Sequence, residues 1–283
     1  MSTEKPTIVL IPGAWHAGST YEPVAALLRE QGYPAVTLTL LSAGGPPSTT
    51  LADDAKHIRK TLEPLIEQGK EVVLALHSYS GIPGSECVKG LTRKELEAQE
   101  KKGGIVSMVF VAAFLLPAGQ SIDSFLPGGA GTVVRVEVSV SVWQDDFIIL
   151  ALPCSLSRGM LIPRFIIVQE DNKCHMTNPA ERFYNDLDEE TTNKYLAKLM
   201  HHAWPTMQDP LTYEGYRDVP TTYLLCEKDG AIPFEAQKFM ASYPGEGVVK
   251  VHTCAAGHSP MLSMPQLVAD VVHGAASAVA VAA

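Results

Sequence analysis

A run of β-favouring apolar residues that breaks at a serine-bearing corner, with helix-compatible sequence following at once, constrains this chain more than any other feature. It occupies residues 71–84 and reads EVVLALHSYSGIPG. Residues 72–76 have the character of a buried strand, and His77-Ser78-Tyr79-Ser80-Gly81 forms the corner. Strand, one-residue corner with Ser, then helix is the layout of a nucleophile elbow. The corner holds a hydroxyl out at the C-terminal edge of the strand. The helix N-terminus offers amide donors and a positive dipole end to a developing oxyanion. Strand and helix pass closely here, which favours small residues two before and two after the nucleophile. Centred on Ser78, those positions are Leu76 and Ser80; centred on Ser80, they are Ser78 and Ile82. A β-branched residue on the crowded helix side is the worse fit. Ser78 is therefore preferred, with Leu76 as the departure to be accommodated.

Around this stretch, strand-like and helix-like segments alternate. Thr7–Ile11 reads as a buried strand and runs into the small-residue loop Pro12-Gly13-Ala14-Trp15-His16-Ala17-Gly18. Ser19-Thr20 can cap a helix through Leu28, residues 34–41 read as a strand, and Thr49 or Thr50 starts a helix to about Gln68. A charged helical continuation spans 92–102, and 104–113 is another strand. Residues 118–218 break the alternation and read as an insertion over the sheet edge, with helices opening at Asn178-Pro179 and at Asp188. Within it, 131–161 is atypical: alternating Val residues and then FIILALPCSLSRGM, without caps and with little charge. That stretch reads either as a cap hairpin or as sequence foreign to the ancestral fold, such as translated intron. Core sequence resumes at Val219 with a strand over Thr221–Cys226, a helix behind Pro233, a strand over 248–254 and a final helix to about Ala275, beyond which AVAVAA is expected to fray. The expected fold is a doubly wound, mostly parallel α/β sheet, with a core of 1–117 and 219–283 and a cap of 118–218.

A length of 283 residues with 46% hydrophobic and 19% charged content suits one large domain carrying an insertion. A net charge of −9 argues against nucleic acid or an anionic membrane as a partner and leaves a small-molecule substrate. The first residues show no signal-peptide pattern, and no apolar run reaches membrane-spanning length. Five scattered cysteines lack metal spacing and point to a reducing, cytoplasmic setting.

In open parallel sheets, ligands bind beyond the C-terminal strand ends. Sorted by that rule, Ser78, Asp229 and His258 each follow a different strand. Serine needs a histidine base, and the base needs a carboxylate that fixes its tautomer. The order Ser, Asp, His is the one that accompanies an elbow. Glu227 is the fallback acid. His77 reads as packing beside the elbow, and His201-His202 and Cys174-His175 as cap surface. The amides of Tyr79 and Ala14 are the expected oxyanion donors, and Gly13 permits close backbone approach. Trp15, His16, Phe125, Trp204 and Tyr213 are candidates for shaping the substrate pocket.

The segments IPGAWH, LHSYSG, CEKDGAIP and AGHSP resemble the oxyanion loop, elbow, acid turn and histidine loop of the α/β-hydrolase superfamily. The likeness extends over nearly the whole chain and is strongest to fungal single-domain hydrolases related to plant methylesterases and hydroxynitrile lyases. It implies a sheet reduced to about six strands, a helical cap, a Ser-His-Asp triad and no cofactor. The expected activity is hydrolysis of a small ester or lactone through an acyl-enzyme. Lyase or cyclase chemistry on the same triad is the alternative, mildly disfavoured because hydroxynitrile lyases often carry a hydroxyl residue where this chain has Ala14. A non-catalytic ligand-binding member is a third possibility. Acyl group, alcohol and oligomeric state are not readable from the sequence.

Overall fold

The computed structural model describes residues 4–125, 133–136 and 166–281. The chain begins with β1 (Thr7–Ile11), α1 (Glu22–Glu30), β2 (Ala35–Thr37), α2 (Leu51–Glu67), β3 (Glu71–His77), α3 (Gly81–Glu86), α4 (Arg93–Glu97) and β4 (Gly104–Val111). The 118–218 segment contributes α5 (Ile122–Phe125), β5 (Val133–Val136), β6 (Ile166–Gln169), β7 (Lys173–Met176), α6 (Pro179–Phe183), α7 (Glu189–Leu196), β8 (His202–Ala203) and α8 (Pro205–Gln208). The alternation then resumes with β9 (Thr221–Cys226), α9 (Phe234–Ser242), β10 (Val249–Cys254), α10 (Pro260–Ser263) and α11 (Pro265–Val281).

Six strands pair in parallel in the order β10-β9-β4-β3-β1-β2. The central ones are apolar on both faces because helices cover both. Alternation along β1 sends Ile8 and Leu10 to the face carrying α1 and α11, and Val9 and Ile11 to the face carrying α2. Strand order reverses about β1 and β3, so the loops after those strands open a crevice at the C-terminal edge. Thr50 caps α2 in a capping box with Asp53.

Three local expectations change. The strand expected over 34–41 shortens to Ala35–Thr37, because among the described residues β2 is an edge strand paired only with Ile8, Val9 and Leu10 of β1. Ser19-Thr20 do not cap α1. Gly18 packs against the backbone of Leu38 and donates its N–H to Thr39 Oγ1, which winds Gly18–Tyr21 into a 3₁₀ turn ahead of the helix. The terminal helix runs to Val281 rather than fraying near Ala275, since Ala276 and Val279 continue the buried stripe of Val268 and Val272.

Within 118–218 both expected helices are present. A four-stranded sheet ordered β5-β6-β7-β8 accompanies them, where the sequence suggested no more than a cap hairpin within 131–161. His202 and Cys174, expected at the surface, are fully buried. They pair across β7 and β8, and His202 lies over the ring of Tyr79 with 4.8 Å between centroids. Of the atypical 131–161 stretch, only Val133–Val136 falls among the described residues. No helix among the described residues is long and apolar enough to cross a membrane.

Candidate active site

The elbow forms at the end of β3, where Ser78 takes φ of 53°, a left-handed conformation costly for a residue with a side chain. The surroundings hold it there. Phe114 N–H donates to Ser78 O at 3.0 Å. Ser80 Oγ sits behind the corner, accepting from His77 N–H at 2.8 Å and lying 2.8 Å from Ile11 O. Ser80 is thereby occupied in joining β3 to β1, and the choice between the two serines resolves by geometry. Leu76 fits because position 84 is glycine: a Cβ there would lie 2.5 Å from Leu76 Cδ1 and 2.6 Å from Cδ2. The crowding that a small residue two before the nucleophile normally relieves is relieved one helical turn later.

Three strand ends deliver a continuous hydrogen-bond chain. His258 Nε2 lies 3.1 Å from Ser78 Oγ, and His258 Nδ1 lies 2.8 Å from Asp229 Oδ2. A carboxylate only accepts, so the Nδ1 proton points at Asp229 and Nε2 is left to accept from the serine hydroxyl. Asp229 Oδ1 accepts from Ala231 N–H at 2.7 Å and Ile232 N–H at 2.8 Å, and Oδ2 accepts from Gln237 Nε2 at 3.0 Å. The acid therefore caps its own turn and faces the base as well. Its side chain is fully buried, whereas the fallback Glu227 is exposed.

Two further histidines brace the site from behind. His77 Nδ1 accepts from Gly13 N–H at 3.2 Å, so its proton is on Nε2, which donates to His258 O at 2.8 Å. Burial, with His258 and His16 nearby, holds the His77 pKa well below the usual imidazole value. His16 Nδ1 donates to Ala14 O at 2.7 Å, and its Nε2 accepts from Tyr184 Oη at 2.8 Å. Burial lowers its pKa to about 4. Gly13 must be glycine, because a Cβ would lie 2.6 Å from Ser78 Cβ. Trp15 takes φ of 66°, and its Nε1 donates to Cys174 O at 2.9 Å.

Ser78 and His258 open into a cavity of about 280 Å³. Trp15, which the sequence reading expected to shape the pocket, lines it, and so do Ala14 and Tyr79, whose amides were expected as oxyanion donors. Its apolar wall comes from residues that reading missed, among them Phe114, Met176, Phe183, Met207 and Ile232. A signal existed for two of them: Phe183 ends the helix opened by Asn178-Pro179, and Ile232 follows the acid turn. The other proposed pocket residues lie elsewhere. His16 is behind the first loop. Phe125 packs on Phe114 and Phe239, and Trp204 is buried, its backbone N–H donating to Asn172 O at 2.8 Å. Tyr213 donates to Asp218 under the ammonium of Lys89. Aromatic character does not separate pocket from core, which is why these four were drawn in. A larger groove of about 660 Å³, between the end of α2 and residues 90–102, lies at the N-terminal strand ends and carries none of these groups. No cluster of metal-ligating side chains occurs among the described residues.

An elbow serine, a buried acid–base pair and a six-stranded parallel sheet define an α/β-hydrolase, and comparison with known proteins agrees. The family model described as "Alpha/beta hydrolase family" matches residues 8–271, and the chain belongs to that family. It is 31% identical over 273 residues to the alpha/beta hydrolase nvfD of Aspergillus novofumigatus (strain IBT 16806), covering 96% of this chain and 97% of that one. It is 26% identical to Methylesterase 7 of Arabidopsis thaliana, covering 91% of each. The solved pyrethroid hydrolase from Sphingobium faniae JZ-2 superposes with a TM-score of 0.65 at 20% identity, over 96% of this chain and 98% of the other.

Proposed function

We propose that this enzyme is a serine hydrolase that cleaves a small, largely apolar carboxylic ester or lactone. The observation that carries this reading is the unbroken Asp229–His258–Ser78 hydrogen-bond chain ending at a left-handed serine on the cavity floor. Ser78 Oγ attacks the carbonyl carbon and His258 Nε2 takes its proton. Asp229 stabilises the imidazolium, and the alcohol leaves with the proton returned by His258. Water, activated by the same nitrogen, then releases the acid. The amides of Ala14 and Tyr79 are the donors assigned to the developing oxyanion, and His16 holds the adjoining Ala14 carbonyl. Residues 118–218 act as a cap, and Met176, Phe183 and Met207 supply its apolar wall. The similarity to a plant methylesterase supports a small alcohol such as methanol as leaving group.

A fluorophosphonate probe tests the nucleophile directly: the expected result is one adduct, on Ser78, lost in Ser78→Ala. Hydrolysis of short-chain p-nitrophenyl esters should fall by about four or more orders of magnitude in that variant. An unlabelled wild type, or a Ser78→Ala protein that keeps its esterase rate, removes the reading.

A further inference from the structure

We propose that Asp186, on the cap just after α6, is a positioning residue for His258. Asp186 Oδ2 accepts from Gly257 N–H at 2.6 Å, one peptide away from His258. Its neighbour Asn185 donates from Nδ2 to Lys228 O at 2.8 Å, one peptide away from Asp229. Adjacent cap side chains thus hold the two core turns that present the acid and the base. Those turns are also joined to each other, by Lys228 N–H to Ala256 O at 3.0 Å.

Close packing supports the same assignment. A Cβ at Gly257 would lie 2.4 Å from Asn185 Oδ1 and 2.6 Å from Asp186 Oδ1, so the histidine turn approaches the cap more closely than any residue with a side chain permits. Asp186 Oδ1 is buried and has no hydrogen-bond partner among the described residues. An unsatisfied carboxylate oxygen costs stability. Its retention against this turn is explained by what Oδ2 does there. A charge-assisted acceptor on the Ala256–Gly257 peptide, the one just before the peptide that carries His258, fixes the turn from which the imidazole springs. Asp186 touches no reacting atom and acts through Gly257.

The proposal rests on the triad reading, and its test separates the two. In Asp186→Ala, kcat for an ester substrate should fall about ten- to a hundredfold, the scale of small misplacements of a catalytic group, with KM changed less than about twofold. Asp186→Asn keeps a carbonyl acceptor and should restore most of the loss. Asp188→Ala is the control. It removes the side chain that accepts from Thr191 N–H at the start of α7, and touches neither turn. It should lower thermal stability without the kcat loss. Hydrogen exchange at the Gly257 amide, a readout independent of turnover, should accelerate in Asp186→Ala alone. Unchanged kcat with unchanged exchange at Gly257, or equal losses in Asp186→Ala and Asp188→Ala, would overturn the assignment. Failure of the probe to label wild-type Ser78 would instead remove the triad reading, and the exchange comparison would still decide the Gly257 contact.

Discussion

Gly84→Ala probes how the elbow carries a leucine two residues before Ser78. The new Cβ would lie 2.5, 2.6 and 3.1 Å from Leu76 Cδ1, Cδ2 and Cγ. Leu76 is fully buried, so its side chain can yield only by displacing neighbours in a close-packed interior. Two effects oppose one another. Alanine is preferred to glycine inside a helix by about 1 kcal/mol. Overpacking costs about 1–3 kcal/mol, so the single variant should lose roughly 1 kcal/mol net. Leu76→Ala alone should lose about 2–5 kcal/mol through the cavity it leaves. In that background the three obstructing atoms are gone and the added methyl enters vacated space. Gly84→Ala then stabilises by about 1 kcal/mol, an inversion of sign. The cycle predicts a coupling energy of about 2 kcal/mol in favour of the double variant, measured by urea melts of the four proteins. If the Gly84→Ala effect is the same in both backgrounds to within about 0.5 kcal/mol, Leu76 is not what glycine at 84 accommodates.

Two further predictions concern buried titratable groups. The pKa of His16 is lowered to about 4 and that of His202 to about 3, both by burial. Below pH 6.5 the unfolded chain binds protons that these folded rings refuse, so stability falls as pH falls. The slope should be about 1.4 kcal/mol per pH unit for each ring, flattening below about 4 for His16 and about 3 for His202. Chemical denaturation from pH 8 to 4 measures it, and a flat profile between pH 6 and 4.5 counts against the burial of these rings. Tyr79→Phe removes the hydroxyl that donates to Asp54 Oδ2 at 2.9 Å, leaving the Ser42 N–H and hydroxyl as its donors. The loss should be about 1–3 kcal/mol at pH 7. Burial already raises the Asp54 pKa, and loss of a donor raises it further. The folded variant therefore takes up a proton more readily than the wild type as pH falls. The gap should narrow on acidification, whereas a pH-independent gap would refer the effect to packing of the ring.

Where the sequence spoke clearly, burial was the reason. β3 and β4 are covered on both faces, so they read as continuous apolar runs and their ends could be placed. Ser78 follows the end of β3, and Asp229 and His258 follow the ends of β9 and β10. β2 read too long because a sheet edge relaxes the same pattern. The cavity wall was harder to read, because Met176, Phe183 and Met207, far from Ser78 in sequence, become its neighbours only in the folded chain. Asp54 had the local signature of a solvated first-turn acid in a capped helix. Nothing nearby in sequence announces that Ser42 and Tyr79 meet it in the interior. Asn185 and Asp186 likewise look like ordinary loop residues until Lys228 and Gly257 arrive beside them.

The neutral ring of His77 spans from the first loop to the last, taking the Gly13 amide on one nitrogen and giving its proton to the His258 carbonyl from the other. The distance between the loop that would receive negative charge and the loop that would carry the base is therefore set by the width of one imidazole, in the manner of a spacer. A shift of β3 carries both loops with it, so their separation survives motions that alter the rest of the crevice. A substitution that shortened or lengthened that spacer would instead change both loop positions relative to Ser78 at once, with every strand still in place.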